Sequence, residues 1–544
     1  MGSLVFAGAA ALSTSVVALP ATAQAGLLGG GGGLLGLGGG STTYIVSAPS
    51  GTLGQVLTAL NGLGVNVVTT LSFVNAVTAK LSSLEVTLLD AIPGIEVTPD
   101  LTVNVQGSIG PSGHAASDAF TQQSGATQLW AQGDTGAGVN VAVLDTGIAA
   151  LPDFAGRMVD GVDLSGGGNP WVDSYGHGTF VAGLIAGNGA SSNGAYSGEA
   201  PGAGLVSVKV AGATGQTDLA TVIAGVGWSI ANQSRDNISV LNMSLGYLPV
   251  ESTVLDPLDQ AVEKAWESGI TVVASAGNSG PGNGTVLSPG DDPLVITTGA
   301  VDDGAQGDAA SDSMTTFSSV GPTNPDGWFK PDLVTSGRSV VSLRVAGSTI
   351  DSQNPSARVG SANFVGSGTS FSSAITSGAA ALLLAADPSY TPNTVKGTLI
   401  GTTAPGPVGD PFVDGHGILN VATAVGSAPM TLNQPVPNLL TLLGQTIGLV
   451  SSGAMSSWND ANWNGSAWNG SAWNGSAWNG SAWNGSAWNG SAWNGSTWNG
   501  STWNGSAWNG SAWNGSAWNG SAWNGSAWNG SAWNGSAWNG SAWN

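Results

Sequence analysis

Between residues 107 and 428 the chain switches repeatedly between short valine-rich runs and longer stretches with helical spacing. The runs VNVAVLDTG, GLVSVKVA, SVLNMSLG, GITVVASAGN and PLVITTGAV show no alternation of apolar and polar residues. A strand solvated on one face must alternate, because successive side chains point to opposite faces. Strands covered on both faces need not, and that is the condition of a parallel sheet between layers of helices. LATVIAGVGWSIANQ and STVLDPLDQAVEKAWESG supply such helices. The expected fold is α/β, a three-layer domain with a central parallel sheet. Functional groups in such a domain gather at the carboxyl ends of the strands.

The chain on either side of 107–428 divides by composition. Residues 1–25 are apolar and small, and end in the overlapping patterns Ala21-Thr22-Ala23 and Ala23-Gln24-Ala25. They read as a signal peptide, although no Lys or Arg marks its start, and imply a secreted, extracellular or cell-surface protein. Residues 26–41 are nearly all Gly and Leu and form a linker. Residues 42–106 read as a small α+β domain of order β-α-β-β-α-β, the ferredoxin-like split arrangement. Within it, Ser82 three residues before Glu85 is a capping-box pattern. Residues 429–457 mix Pro, Leu and Gly as a second linker. Residues 458–544 repeat Trp-Asn-Gly-Ser-Ala with period five, with sixteen successive Trp-Asn-Gly-Ser units from Trp463.

Charge and cysteine content remove several function classes. Ten Lys and Arg stand against 32 Asp and Glu, a net charge of −22, and no charged residue follows Asp460. A nucleic-acid partner needs clustered cations and is excluded. An anionic membrane surface would repel the chain. With no cysteine, disulfides, thiolate metal sites and a cysteine nucleophile are all ruled out.

Four short segments carry candidate chemistry. In VAVLDTG, Asp145 ends an apolar strand, where a buried carboxylate can hold an imidazole in one tautomer. In GHGTFVAGLIAG, His177 opens a helix among small residues, and His is the side chain best suited to base catalysis near neutral pH. In GSGTSFSSAITSGAAALLL, Ser370 stands at a Gly-rich turn before a long helix, whose N-terminal partial charge favours a developing oxyanion. In VVASAGNSG, the Asn278 amide can donate to that oxyanion. Each also has an ordinary alternative: a turn Asp, a structural His, an N-capping Ser, a turn-forming Asn. Asp-Thr-Gly also occurs at Asp134, but the copies are too close together for the two lobes of an aspartic peptidase.

In combination and in the order Asp, His, Asn, Ser, these segments resemble the subtilisin-like (subtilase) serine peptidases, as do SVLNMSLG, FSSVGP and KPDLVTSG in their expected places. The resemblance covers roughly residues 42–428 and implies a subtilisin-like domain and an autoprocessed secreted endopeptidase acting on protein or peptide substrates. It gives Asp145, His177 and Ser370 the triad roles and Asn278 the oxyanion hole. Ser244, Leu245 and Gly246 would pair with extended substrate, and Ala274, Ser275, Ala276 and Gly277 would line the specificity pocket. Nothing acidic lies in those two segments, which suggests an apolar P1 side chain. Residues 42–106 resemble the family's inhibitory propeptide, cut by the enzyme itself near Val105-Gln106. One departure is the sequence after the nucleophile. The family usually has Met-Ala and then a Pro; here Phe371, Ser372, Ser373 and Ala374 follow. No cofactor is required. Structural calcium is common in the family, but no ligand loop stands out, and Asp291 and Asp292 read as solvated surface. The Trp-rich repeats are expected to bind cell-surface glycan, to self-associate or to act as a passive spacer.

Overall fold

The computed structural model describes residues 42–49, 51–110, 119–307 and 309–432, together with the backbone of two short paired strands in the repeats, Trp483–Asn484 and Asn489–Gly490. The expected signal peptide, the glycine-rich linker, His114, residues 433–457 and the remaining repeats lie outside the described residues.

The first folded element is the α+β domain read from the sequence. Its order is strand Thr42–Ser47, helix Leu53–Gly62, strands Val67–Leu71 and Ala76–Leu81, helix Ser83–Asp90 and strand Glu96–Pro99. The strands pair antiparallel in the order Val67–Leu71, Ala76–Leu81, Thr42–Ser47, Glu96–Pro99. The Ser82 capping box forms: Ser82 N–H donates to Glu85 Oε2 at 2.7 Å and Glu85 N–H donates back to Ser82 Oγ at 3.4 Å. Adjacent strand residues serve two cores, as a period of two requires. Val46, Val77 and Ala79 join Val56, Leu60 and Leu89 beneath the domain's own helices. Ile45, Leu71, Val74 and Ala76 belong to the larger core that continues through the rest of the protein. This small sheet is therefore covered on both faces.

The larger sheet runs Met158–Asp163, Gly204–Lys209, Asn140–Asp145, Ile238–Met243, Thr271–Ser275, Ile296–Asp302, Leu333–Ser336, with every neighbouring pair parallel. Ser313–Met314 adds an antiparallel edge to Ile296–Asp302. The five runs singled out by their lack of alternation are five of these strands. Helix Leu219–Asp236 packs on the face carrying Leu144 and Val208, which would clash with any side chain at Gly225. Helix Thr369–Ala386 lies on the opposite face, where Ser377 Oγ donates to Asn242 Oδ1 at 2.9 Å. That helix is apolar around most of its circumference because it is buried along most of its length. Helix Pro257–Glu267 starts later than its sequence pattern suggests. Asp256 caps it, accepting from Leu258 N–H at 2.8 Å, and Pro257 occupies the first turn.

The strand order reverses at Asn140–Asp145. The chain lays down Met158–Asp163 and Gly204–Lys209 on one side of it and Ile238–Met243 on the other. Crevices at such a reversal, outside the carboxyl ends of the strands, are where α/β sheets bind ligands. Asp145 is the last residue of that strand.

One surface expectation is overturned. Asp291 and Asp292 are 1% and 0% exposed. Asp292 Oδ1 accepts from Leu294 N–H at 2.7 Å, capping the turn that leads into strand Ile296–Asp302. Burial, with the neighbouring charges of Asp256 and Asp292, pushes the Asp291 carboxyl well up. Burial likewise raises Asp292 to about 6. The pair therefore belongs to a buried carboxyl cluster with Asp259 and Glu263 from helix Pro257–Glu267. Among the described residues no group of three or more His, Asp or Glu side chains is arranged to hold a metal ion.

Candidate active site

Asp145 and His177 meet at the sheet's carboxyl edge. His177 Nδ1 lies 2.9 Å from each Asp145 carboxylate oxygen. Asp145 Oδ1 also accepts from Thr146 N–H at 2.7 Å. A neutral imidazole facing this carboxylate carries its proton on Nδ1, which leaves Nε2 as the base. Nε2 is buried and has no hydrogen-bond partner. Burial acts to lower the His177 pKa. The charge and hydrogen bond of Asp145, with Asp173 and the Gln106 backbone behind them, outweigh burial and hold it above the usual 6.5. The ring lies 5.8 Å from that of Phe371, which packs at 4.4 Å on Phe180.

Ser370 is the second residue of helix Thr369–Ala386. Its Oγ donates to the Ser244 carbonyl at 3.0 Å, and Ser244 Oγ donates to the Ser370 carbonyl at 2.9 Å. Ser370 is fully buried. The physical reason is chain lying across it. A side chain on Gly368 would meet Gly107 Cα at 2.7 Å, Gln106 O at 3.3 Å and Asn278 Nδ2 at 3.4 Å. These three groups therefore converge on one face of the turn that presents Ser370. Asn278 is fixed by its own carbonyl. Oδ1 accepts from Thr369 N–H at 2.9 Å and from Thr369 Oγ1 at 3.0 Å, which leaves both Nδ2 protons free to donate.

The covering segment runs straight through the site. Strand Thr102–Val105 pairs antiparallel with Leu245–Gly246, with Leu245 opposite Val105 and Gly246 opposite Asn104. Its other edge pairs antiparallel with Gln216–Asp218. Gln106 N–H donates to the Ser244 carbonyl at 2.9 Å. Beyond the site, Ser108–Ile109 pairs antiparallel with Asn363–Ser367. Gln106 and Gly107 bridge the two pairings, and a Cβ on Gly107 would stand 3.3 Å from His177 Nε2. Ser244, Leu245 and Gly246 thus pair with an extended segment of the protein's own chain. The second edge, Gln216–Asp218, gave no warning, because an edge strand that lends only backbone groups needs no particular side chains.

Of the second expected wall, Ala274 and Ser275 end strand Thr271–Ser275 and are buried. The Ala276 carbonyl accepts from Leu287 N–H at 3.0 Å. The Leu287 side chain occupies the space between the two walls. It would lie 2.6 Å from a Cβ on Gly277 and 3.1 Å from one on Gly246. Sequence reasoning missed Leu287, which no motif marks. It also missed Asp173, which stands four residues before His177.

The Subtilase family model (Peptidase_S8) matches residues 136–432, which spans all four segments. The chain belongs to the subtilase family. It is a serine peptidase, similar to serine protease AprX of Bacillus subtilis (strain 168), with 42% identity over 316 residues, 57% of this chain and 71% of that protein. Subtilisin DY of Bacillus licheniformis is 34% identical over 301 residues, 55% of this chain and 95% of its own length. Among solved structures, fervidolysin from Fervidobacterium pennivorans, described as a keratinolytic enzyme related to subtilisin, superposes with a TM-score of 0.56 at 22% identity. That match covers 74% of this subtilase and 63% of fervidolysin, and at that identity the likeness speaks to the fold alone.

Proposed function

We propose that this subtilase is a secreted endopeptidase made as a self-inhibited precursor, with Ser370 as nucleophile, His177 as base, Asp145 as orienting carboxylate and Asn278 as oxyanion donor. The observation that carries the proposal is the course of Gln106–Gly107. This peptide passes beside His177 Nε2 and, at Gly368, beside Asn278 Nδ2, held in extended pairing on both sides. Rotation of Ser370 χ1 releases Oγ from the Ser244 carbonyl and offers its proton to Nε2, the ring atom without a partner. Oγ then attacks the Gln106 carbonyl carbon, and the oxygen's developing charge is met by Asn278 Nδ2. His177 returns the proton to the Gly107 nitrogen as the C–N bond breaks, leaving an acyl-enzyme on Ser370 that water hydrolyses. Substrates follow the track of residues 102–109, adding a strand between Gln216–Asp218 and Leu245–Gly246. The preference is for an apolar P1 side chain, since Leu287 and the neighbouring wall present no charge.

The leader-like residues 1–25 support export, and the Trp-rich repeats support attachment to cell-surface glycan or self-association. The test is casein hydrolysis and precursor processing by wild type and Ser370→Ala. Wild type should digest casein and yield a mature chain beginning at Gly107. Ser370→Ala should do neither, and equal activity in the two would end the proposal.

A further inference from the structure

Asp173 has no part in the chemistry above, yet it sits behind His177 in an unusual setting. The side chain is buried, and it accepts four hydrogen bonds. Oδ1 receives Thr146 Oγ1 at 2.8 Å and Gly176 N–H at 2.7 Å. Oδ2 receives Thr179 N–H at 2.8 Å and Thr179 Oγ1 at 2.7 Å. Both hydroxyls are already acceptors for other groups. Thr146 Oγ1 takes Gly178 N–H at 2.9 Å, and Thr179 Oγ1 takes Ala149 N–H at 2.9 Å. Each hydroxyl has one proton to give, and the two backbone N–H groups can only donate. Four donors on two oxygens suit the ionised carboxylate, and these hydrogen bonds oppose burial, which pushes the Asp173 pKa up.

The partners of this carboxylate flank the reacting groups. Thr146 follows Asp145 directly, Gly176 and Gly178 stand on either side of His177, and Thr179 is one residue further. Helix His177–Ala186 has Gly176 at its N-cap, so no side chain of its own caps it. The free N–H groups of Gly178 and Thr179 are met instead by Thr146 and Asp173. One carboxylate thus ties the end of the Asp145 strand to the start of the His177 helix. His177 Nδ1 is equally far from both Asp145 oxygens, a balance that a small rotation of the helix start would destroy.

We propose that Asp173 is a positioning residue for catalysis: it fixes the Asp145–His177 geometry through Thr146, Gly176 and Thr179, and its charge adds to that of Asp145 in stabilising the imidazolium. The inference rests on the catalytic roles given above. The charged and titratable neighbours of His177 agree with it. Asp145 faces Nδ1, and Asp173 lies behind. Tyr175 is close enough to feel both carboxylates. Lys209 is turned away to the Val172 carbonyl at 2.7 Å and toward Asp163 at 3.7 Å. On the ring's other side stands Phe371.

The test is the rate at which a fluorophosphonate labels Ser370 as a function of pH, measured on the processed full-length protein. The acid limb of this profile reads the His177 pKa directly. Asp173→Asn keeps the size of the side chain but loses the charge and one acceptor. It should slow labelling at neutral pH by roughly 10- to 100-fold and move the acid limb down by about 0.5–1 pH unit. Thr146→Val keeps the charge and removes one tie, so it should slow labelling without moving the acid limb. It also serves as the readout if Asp173→Asn does not accumulate as folded protein. A purely structural cap would lower thermal stability but leave rate and acid limb of the folded fraction at wild-type values, and that result in either variant would overturn the proposal. A wild type that fails to label at all would instead overturn the catalytic roles.

Discussion

Raising the pH should loosen the hold of residues 42–106 on the peptidase domain, with Glu251 as the group that senses it. Thr98 Oγ1, on the strand leading to the cleft, donates to Glu251 Oε1 at 2.8 Å. Burial, then the charge of Asp256, and more weakly those of Glu96 and Asp90, raise the Glu251 pKa from 4.5 to about 7 against the lowering effect of the Thr98 hydrogen bond. Burial and Asp90 also push Glu96 upward. Carboxyls from both partners are thus crowded at one interface. A carboxyl whose pKa is higher in the docked state binds its proton more tightly there. Docking is then fully favoured below the ordinary value and weakens as pH rises through about 7. At about 1.4 kcal/mol per tenfold, the whole effect would be roughly 3 kcal/mol. If residues 42–106 are released as proposed, Asp256 stays with the peptidase domain, so about half of it, roughly 1–2 kcal/mol, should depend on docking. That corresponds to about a tenfold faster release between roughly pH 5.5 and pH 8.5. The processed but undissociated complex would be held at each pH, and aliquots assayed at one fixed pH with a chromogenic peptide. Glu251→Gln should flatten the dependence. Release that is independent of pH in the wild type, or equally steep in Glu251→Gln, would refute the reasoning.

Three further outcomes follow from single contacts. Asn278→Leu removes the Nδ2 donor and should lower kcat by about 10²–10³ with KM nearly unchanged, read from steady-state hydrolysis of a peptide anilide. Leu287→Ala opens the space between Gly246 and Gly277. It should raise kcat/KM for a P1 Phe substrate relative to P1 Ala by about tenfold or more, as measured on paired anilides. Phe73 packs where any side chain on Gly227 would have to stand, within 2.6 Å of its ring. Phe73→Ala should therefore cost about 1–2 kcal/mol of docking and speed the onset of activity after processing, and an unchanged lag would count against that contact.

The sequence alone determined the layers and marked the candidate residues. Unbroken valine runs can be stable only when covered on both faces, and so the parallel sheet was legible without coordinates. The positions of Asp145, His177, Asn278 and Ser370, to which the catalytic roles are proposed, were legible because each occupies a local setting, a strand end or a helix start with small neighbours, that leaves a mark within a few residues. The capping box at Ser82 was legible for the same reason. Tertiary structure alone decided the rest. Asp291 and Asp292 look like surface in a one-dimensional reading, yet helix Pro257–Glu267 folds over them. Asp173 collects partners on both sides of the strand-to-helix connection, and no spacing rule brings Thr146 and Thr179 to one carboxylate. Leu287 fits its place only because Gly246 and Gly277, distant in the chain, leave a gap between them. Gln216–Asp218 and Asn363–Ser367 contribute backbone groups, and a backbone hydrogen bond can be made by almost any sequence. Chemistry that depends on a side chain's neighbours in the chain can be read from the sequence, whereas chemistry that depends on its neighbours in space required the fold.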